Sequence, residues 1–241
     1  MYQDPEAGDQ SQVNFPDAQL FGSKQIRHNF IKKVYSLLTI QLIITVAIVA
    51  VFKLHKGVET WAKANQWFHL ASFAVSFAIL LVIACMGDLR RKHPHNLIAL
   101  FAFTVAESLM LGVITVMFDT EIVMYAAALT AVICIALTLF ALQTRYDFTT
   151  KNGTMLVILL VATLTSMISA FFPRSKLFVL IMSSVMAIIM GIFLVIDTQM
   201  IVGGTHKVQM SPEEYVFATI NLYLDIINMF LWILTILSQD R

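Results

Sequence analysis

Charge is what this sequence has least of. Of its 241 residues 13% are Asp, Glu, Lys or Arg, against 59% apolar. Soluble domains run near 25% charged, so a soluble chain of this length would lack the polar surface to cover itself. The formal charge of +1 provides no basic face for a nucleic-acid partner, and it excludes a strongly acidic, solvating chain. Cysteine is almost missing. Cys85 and Cys134 both fall inside apolar runs, neither is placed for an extracellular disulfide, and both read as small packing residues. The thirteen methionines read as gap-fillers between helices. There is no H-E-x-x-H, no G-x-S-x-G and no P-loop, so metalloprotease, serine-hydrolase and nucleotide chemistry lack their residues. The histidines sit near the ends of apolar runs, as interfacial anchors do. No enzymatic activity is expected.

What the chain does have is apolar blocks of about 20 residues, the length that crosses a bilayer as a helix. Seven are read, at about 34–54, 67–87, 97–118, 122–142, 155–172, 177–202 and 212–237. None alternates with period two, which favours helices over a membrane barrel. The predicted fold class is an all-α integral membrane protein, a seven-transmembrane-helix bundle. Residues 1–33 form a polar tail expected to be cytosolic and to lack a cleaved signal, and 34–241 form the membrane domain. The connection "KLHKGVETWAKANQ" reads as a short amphipathic helix. With the N-terminus inside, the inner side carries Lys24, Arg27, Lys32, Lys33, Arg90, Arg91, Lys92, Arg145, Lys151 and Lys207. The outer side carries only Lys53, Lys56, Lys63, Arg174, Lys176 and Arg241. This asymmetry favours a cytosolic N-terminus.

Three carboxylates nevertheless lie deep in apolar runs: Glu107 in "FTVAESLMLG", Asp197 in "FLVIDTQMIV" and Asp225 in "NLYLDIINMF". A charge at mid-membrane costs from about 2.5 to over 10 kcal/mol, and no Lys or Arg lies well inside any span. The nearest cations, Arg90 and Arg91, follow the second span in "CMGDLRRKH". Such acids must be protonated, borrow an arginine from a helix end, or bind a cation.

In the last span Asn221, Asp225, Asn228 and Trp232 are spaced four, three and four apart, on one helical face. Such a stripe is expected to face the bundle interior or a water-filled cavity. Amide and carboxylate oxygens are ligands for hard cations such as calcium; the plainer reading of the asparagines is helix–helix hydrogen bonding. The sixth and seventh spans are closely joined and so antiparallel neighbours. Counted from the turn, Asp197 and Asp225 differ in depth by about two helical turns, which tilt or a break at Gly203-Gly204 would have to remove. Two carboxylates brought close tend to share a proton, so such a site would respond to pH. "MSPEEY" marks the start of the last helix: Ser211 as N-cap, Pro212 at the first position and Glu214 three residues after the cap, with Met210 and Tyr215 as a hydrophobic staple. Glu213 and Glu214 are assigned to that helix start.

The segments "SPEEYVFATINLYLDIINMFLWIL", "IDTQ", "KVYSLLTIQL" and "RRKHPHN" together resemble the Lifeguard branch of the transmembrane BAX inhibitor motif family, most of all its Golgi-type (Golgi anti-apoptotic) proteins. The likeness runs from about residue 25 to the C-terminus. It implies a seven-helix bundle with the last helix central, placed in Golgi or endoplasmic reticulum membranes. It also implies an effect on calcium release and cell-death sensitivity through a pH-sensitive calcium leak. On this resemblance Asp197 and Asp225 form the calcium- and proton-sensing pair. Arg90, or Arg91 beside it, is the latch on that pair. Asn221, Asn228 and Glu107 are supporting polar groups. No tightly bound cofactor is implied; calcium enters as permeant or regulatory ion. The expected partners are the lipid bilayer, calcium ions, and cell-death regulators or calcium-release channels. The alternative is a non-conducting membrane scaffold that regulates such partners through its tail and loops. Other seven-span families fit worse. No lysine lies between Pro212 and Leu237 to carry retinal, the third span ends in "DTE" rather than D-R-Y, and there is no convincing repeat of interrupted helices of the transporter kind.

Overall fold

A computed structural model describes residues 16–87, 91–169, 175–204 and 206–240. Its long elements are helices: α1 (Pro16–Leu54), α2 (Lys56–Ala64), α3 (Trp67–Cys85), α4 (His95–Thr115), α5 (Thr120–Gln143), α6 (Asn152–Ser169), α7 (Lys176–Val202) and α8 (Tyr215–Leu237). Among the described residues there is no strand. Each predicted apolar block holds a helix, though Met86 and residues 116–118, at the ends of the second and third blocks, lie outside the helices. Six helices, α1, α3, α4, α5, α7 and α8, are long and apolar enough to cross a membrane; α6 carries a shorter apolar stretch, Gly153–Thr165. The end of the predicted fifth span, 170–172, lies outside the described residues. The short amphipathic helix expected between the first two spans is α2, whose first turn is capped by His55: its Nδ1 accepts from the Val58 N–H.

The first helix reaches further back than its apolar block. It runs from Pro16 through polar residues into the span without a break. Its 39 residues would extend about 58 Å at 1.5 Å per residue, well beyond the roughly 30 Å hydrocarbon core. The stretch bearing Arg27, Lys32 and Lys33 thus lies beyond the apolar segment and is free to meet the loops at one end of the bundle.

Two groups of helices share α1. On one side α3 packs on α4, and α4 on α1; on the other α7 packs on α8, and α5 on both. The last helix also touches α1 and α4, while α6 lies against α7. The core is built mainly from α4, α7 and α8, with Leu100, Phe103, Leu194, Ile196, Ile220, Leu222, Tyr223 and Leu234 almost wholly buried. The outward faces reverse the soluble pattern: Ile43, Val46, Phe73, Val132, Ile135 and Ile188 are exposed. An exposed apolar girdle of that extent exceeds what soluble monomers carry and is the surface a bilayer covers. This is an integral membrane protein.

Ser211 and Pro212 open the last helix where the sequence puts them, but through a 3₁₀ turn rather than a capping box to Glu214. Ser211 caps a 3₁₀ turn at Pro212–Glu214 by accepting from the Glu213 N–H, with Pro at the first position, and α8 continues from Tyr215. The end of α7 is set by Gly203 and Gly204, both at positive φ (68° and 71°), a conformation that costs a side-chain-bearing residue far more than glycine. The chain then folds back so that the Met210 N–H donates to the Met200 carbonyl at 2.9 Å. Arg27 closes this turn from α1. Its Nη1 donates to the carbonyls of Met210 (2.8 Å) and Ile201 (3.3 Å), and its Nη2 to Gln209 Oε1 (3.0 Å). One arginine therefore satisfies an α7 terminal carbonyl, that of Ile201, which no helical N–H reaches, and ties it to Met210 ahead of the last helix.

Candidate functional site: a buried aspartate pair

The motif Ile196-Asp197-Thr198-Gln199 lies in the last turns of α7, and three consecutive side chains leave it toward three different elements. Asp197 turns to α8. It is 7% exposed, Asp225 is 8% exposed, and the two carboxyls are within hydrogen-bonding reach of each other. Thr198, fully buried, faces Tyr35 of α1. Gln199, also fully buried, crosses to the connection between α5 and α6: its Nε2 donates to the Tyr146 carbonyl and its Oε1 accepts from the Phe148 N–H, both at 2.9 Å. Successive helical residues are about 100° apart, so a run of three polar residues can be buried only where three neighbours surround the helix. Here α1, α8 and the 146–148 segment do so.

The structure thus joins Asp197 and Asp225, the two residues whose depths differ in a straight count from the turn. The strained Gly203-Gly204 break and the folded return to Met210 separate the starts of the two helices. Among the described residues no donor reaches Asp225 Oδ2, which is buried, and the group facing Asp225 from α7 is the Asp197 carboxyl. Two carboxyls meet in a hydrogen bond only when one carries a proton. Cys134 of α5 borders the same site and donates from Sγ to Met229 Sδ at 3.9 Å; both cysteines are free thiols.

The remaining predicted residues are placed less centrally. Asn221, Asn228 and Trp232 are half-buried, so the polar stripe lies at the edge of the buried face of α8, with Asp225 its one buried member. Asn228 donates to the Leu224 carbonyl of its own helix at 2.8 Å. Glu107 is buried on α4, 6% exposed, beside Ser76 of α3 and away from the pair. Arg90 lies outside the described residues. Arg91 forms an ion pair with Glu214 at 2.7 Å. Glu214 is eleven residues before Asp225, about 16 Å along a helix, so this ion pair ties the region after α3 to the base of the last helix. The same end holds Lys33, whose Nζ lies 3.4 Å from the centre of the Tyr215 ring, and Asn96, which donates to the Tyr215 hydroxyl.

A second buried polar cluster was not legible from spacing. Thr45 of α1 is hydrogen-bonded to Ser108 of α4 (2.9 Å) and to the Tyr223 hydroxyl of α8 (2.8 Å), and Gln41 Nε2 donates to Thr104 Oγ1 at 2.7 Å. All five side chains are buried. Tyr223 is two residues before Asp225, on a different face of α8, so the helix carries one polar contact to α1 and α4 and another to α7. The only signal in the sequence is a set of polar side chains at i, i+4 positions (Gln41 with Thr45, Thr104 with Ser108) on helices otherwise apolar.

Outside the membrane segments, Asp147 organises the loops beneath the pair. Its Oδ1 accepts from the Thr149 hydroxyl (2.6 Å) and N–H (3.1 Å), its Oδ2 accepts from the Lys207 N–H (2.9 Å), and His206 Nδ1 is 3.4 Å away. The Thr149 hydroxyl first, then the Lys207 N–H, holds this carboxyl below the usual carboxylate range.

Among the described residues no three His, Cys, Asp or Glu side chains gather as a metal site. The pair alone offers four oxygens, short of the six to eight a calcium ion takes, so any resting calcium would need carbonyls or water as well.

The family model described as Bax1-I, "Inhibitor of apoptosis-promoting Bax1", matches residues 27–241. The chain is 36% identical over 219 residues to "Protein lifeguard 3" of Homo sapiens, covering 90% of this chain and 70% of that one. It is 33% identical over 219 residues to "Protein lifeguard 3" of Mus musculus, covering 90% and 71%. To the "Golgi anti-apoptotic protein" of Vaccinia virus (strain Lister) it is 34% identical over 228 residues, covering 95% and 92%. With a family match across nearly all of the helical domain and relatives above 30% identity along most of both chains, this protein belongs to the Bax1-I (BAX inhibitor motif) family.

Proposed function

We propose that the protein is a pH-sensitive calcium leak pathway of internal membranes that lowers stored calcium and restrains apoptosis, gated by Asp197 and Asp225. The observation that carries this reading is the pair itself: two buried carboxyls from adjacent helices, in contact, in a chain that spans a membrane. A lone proton can bridge them, and a divalent cation can replace it. Protons and calcium then compete for one site, and loss of the bridge loosens α7 from α8. Four oxygens suit a permeant ion passing with part of its water better than one held at rest.

In this reading α6 is the further span, giving seven, the N-terminus is cytosolic, and α8 is the central helix. Support for the last point is that α8 packs on α1, α4, α5 and α7. A Golgi location and an anti-apoptotic role follow from the similarity to the Golgi anti-apoptotic protein. The latch is assigned to the arginines after α3, Arg90 acting on the pair and Arg91 fastening that segment to Glu214.

The test is flux from calcium-loaded liposomes holding only the purified chain, measured across pH. Asp225→Asn keeps shape and hydrogen bonding but cannot titrate at this position, so flux should lose its pH dependence. A flat wild-type trace would remove conduction and leave the scaffold; an unchanged pH profile in the variant would remove Asp225.

A further inference from the structure

The helices that hold the pair also bound an apolar groove of about 610 Å³ between α5 and α7, with α8 as its floor. Such a volume lies within the usual range for a ligand pocket, roughly 300–1,000 Å³. Its walls run from Leu129 to Phe140 on α5 and from Ser184 to Val195 on α7, and Met229 lies at its floor. Gly191 keeps it open: a Cβ there would stand 3.1 Å from Leu137 Cδ1 and 3.8 Å from Met229 Cε.

Three observations identify the occupant. First, the groove is open to the bilayer-facing surface: Leu129 and Ile188 of its own lining are exposed. Second, its length fits one leaflet. Eleven residues of α5 separate Leu129 from Phe140, about 16 Å, half of the roughly 30 Å hydrocarbon core. Third, one end has polar and aromatic chemistry that the rest lacks. Phe140, Tyr146 and Phe148 form a ring cluster with centroid separations of 6.0 Å and 4.7 Å. The connection that carries two of these rings also bears Arg145 and Lys151, both exposed. Aromatic rings and cations in that position match the headgroup level of a membrane.

We propose that this groove is a binding site for a single phospholipid of the adjoining leaflet, its acyl chain lying between α5 and α7 and its anionic headgroup held by Arg145 and Lys151 at the Phe148 end. Met229 couples it to the aspartate pair. It follows Asp225 by one helical turn, touches Cys134 through sulfur at 3.9 Å and forms the groove floor, so a chain in the groove presses on the turn that presents Asp225. The site stands whether or not the pair conducts calcium.

The experiment uses the full chain in phosphatidylcholine vesicles doped with phosphatidylserine or with phosphatidylcholine, each carrying a diazirine in one acyl tail. Photolabelled residues are mapped by mass spectrometry. Labelling should concentrate on groove residues of α5 and α7, several-fold above Val132 and other exposed positions. Ala187→Phe fills the groove from its own wall and should reduce groove labelling at least fivefold, whereas Val132→Phe, outside it, should not. Ile188→Trp is the second filling variant should Ala187→Phe not fold. Arg145→Glu with Lys151→Glu should abolish the preference for the serine lipid while leaving acyl labelling in place. Uniform labelling around the bundle, or groove labelling unchanged by both filling variants, would overturn the site. Groove labelling without any preference for the serine lipid would overturn the headgroup assignment.

Discussion

Replacing Gly203 by Ala tests whether the turn after α7 is built as described. Gly203 has φ 68° and ψ −120°, a region that side-chain-bearing residues occupy only at a cost of about 1–3 kcal/mol. Space is short as well. A Cβ at 203 would stand 2.7 Å from Gln209 Oε1 and 3.0 Å from Arg27 Cζ. The Gln209 side chain is not free to swing aside: its Oε1 accepts from Arg27 and its Nε2 donates to the carbonyls of Gly204 and His206. Each such bond contributes about 0.5–1.5 kcal/mol net. Losing one or two of them on top of the backbone strain gives about 1.5–6 kcal/mol. Gly204→Ala is the internal control: φ is also positive, at 71°, but nothing lies within 4 Å of its added methyl, so only strain of about 1–2 kcal/mol is expected. Reversible unfolding in mixed detergent–SDS micelles, followed by helicity, measures both. Equal destabilisation by the two substitutions would refute the crowding of Arg27 and Gln209 against Gly203, and with it the clamp on the end of α7.

The same logic yields further expectations. Asp197→Asn and Asp225→Asn should each match the double variant in flux and calcium response, because residues in one hydrogen-bonded unit are not additive; additive effects would show two separate sites. Arg91→Ala should cost about 0.2–1 kcal/mol of stability, as a partly exposed ion pair with Glu214 does, and should move the pH profile of flux little. Arg90→Ala should move that profile strongly. Equal small effects at Arg90, Arg91 and Lys92 would leave a charged membrane flank and no latch. Asp147 is held below the usual carboxylate range by Thr149 and Lys207. The stability it contributes is therefore complete above the ordinary carboxylate pKa, about 3.9, and is lost as pH falls through its lower folded value. Hydrogen exchange of the 144–151 and 206–210 segments should stay slow down to about pH 4 and accelerate below it, after correction for intrinsic rates; Asp147→Asn should be fast already at neutral pH, and identical profiles would refute the role.

How much of this was readable in the chain depends on whether the property is local. Helix positions follow from apolar length, so each predicted block holds a helix, and Ser211-Pro212 and Gly203 marked helix ends through their own backbone preferences. The cost of an ionisable group in hydrocarbon singled out Glu107, Asp197 and Asp225 before any contact was known. Spacing alone, however, puts Asn221, Asp225, Asn228 and Trp232 on one stripe without saying which neighbour meets it. Packing buries Asp225 against α7 and leaves the other three at the edge, with Asn228 bonded to its own helix. Gln199 is satisfied by the 146–148 segment and Thr198 is buried against α1, neighbours that no local pattern names. Arg91 could have served the pair or the membrane flank, and the fold brings it to Glu214. The sequence by itself determined which segments are long and apolar enough to cross a bilayer and which groups cannot rest there unpaired, because transfer from water to lipid is a property of each residue. Which acid meets which, and across what distance, was decided by the tertiary structure alone, since a helix fixes the angle of a side chain about its own axis and not the neighbour it faces.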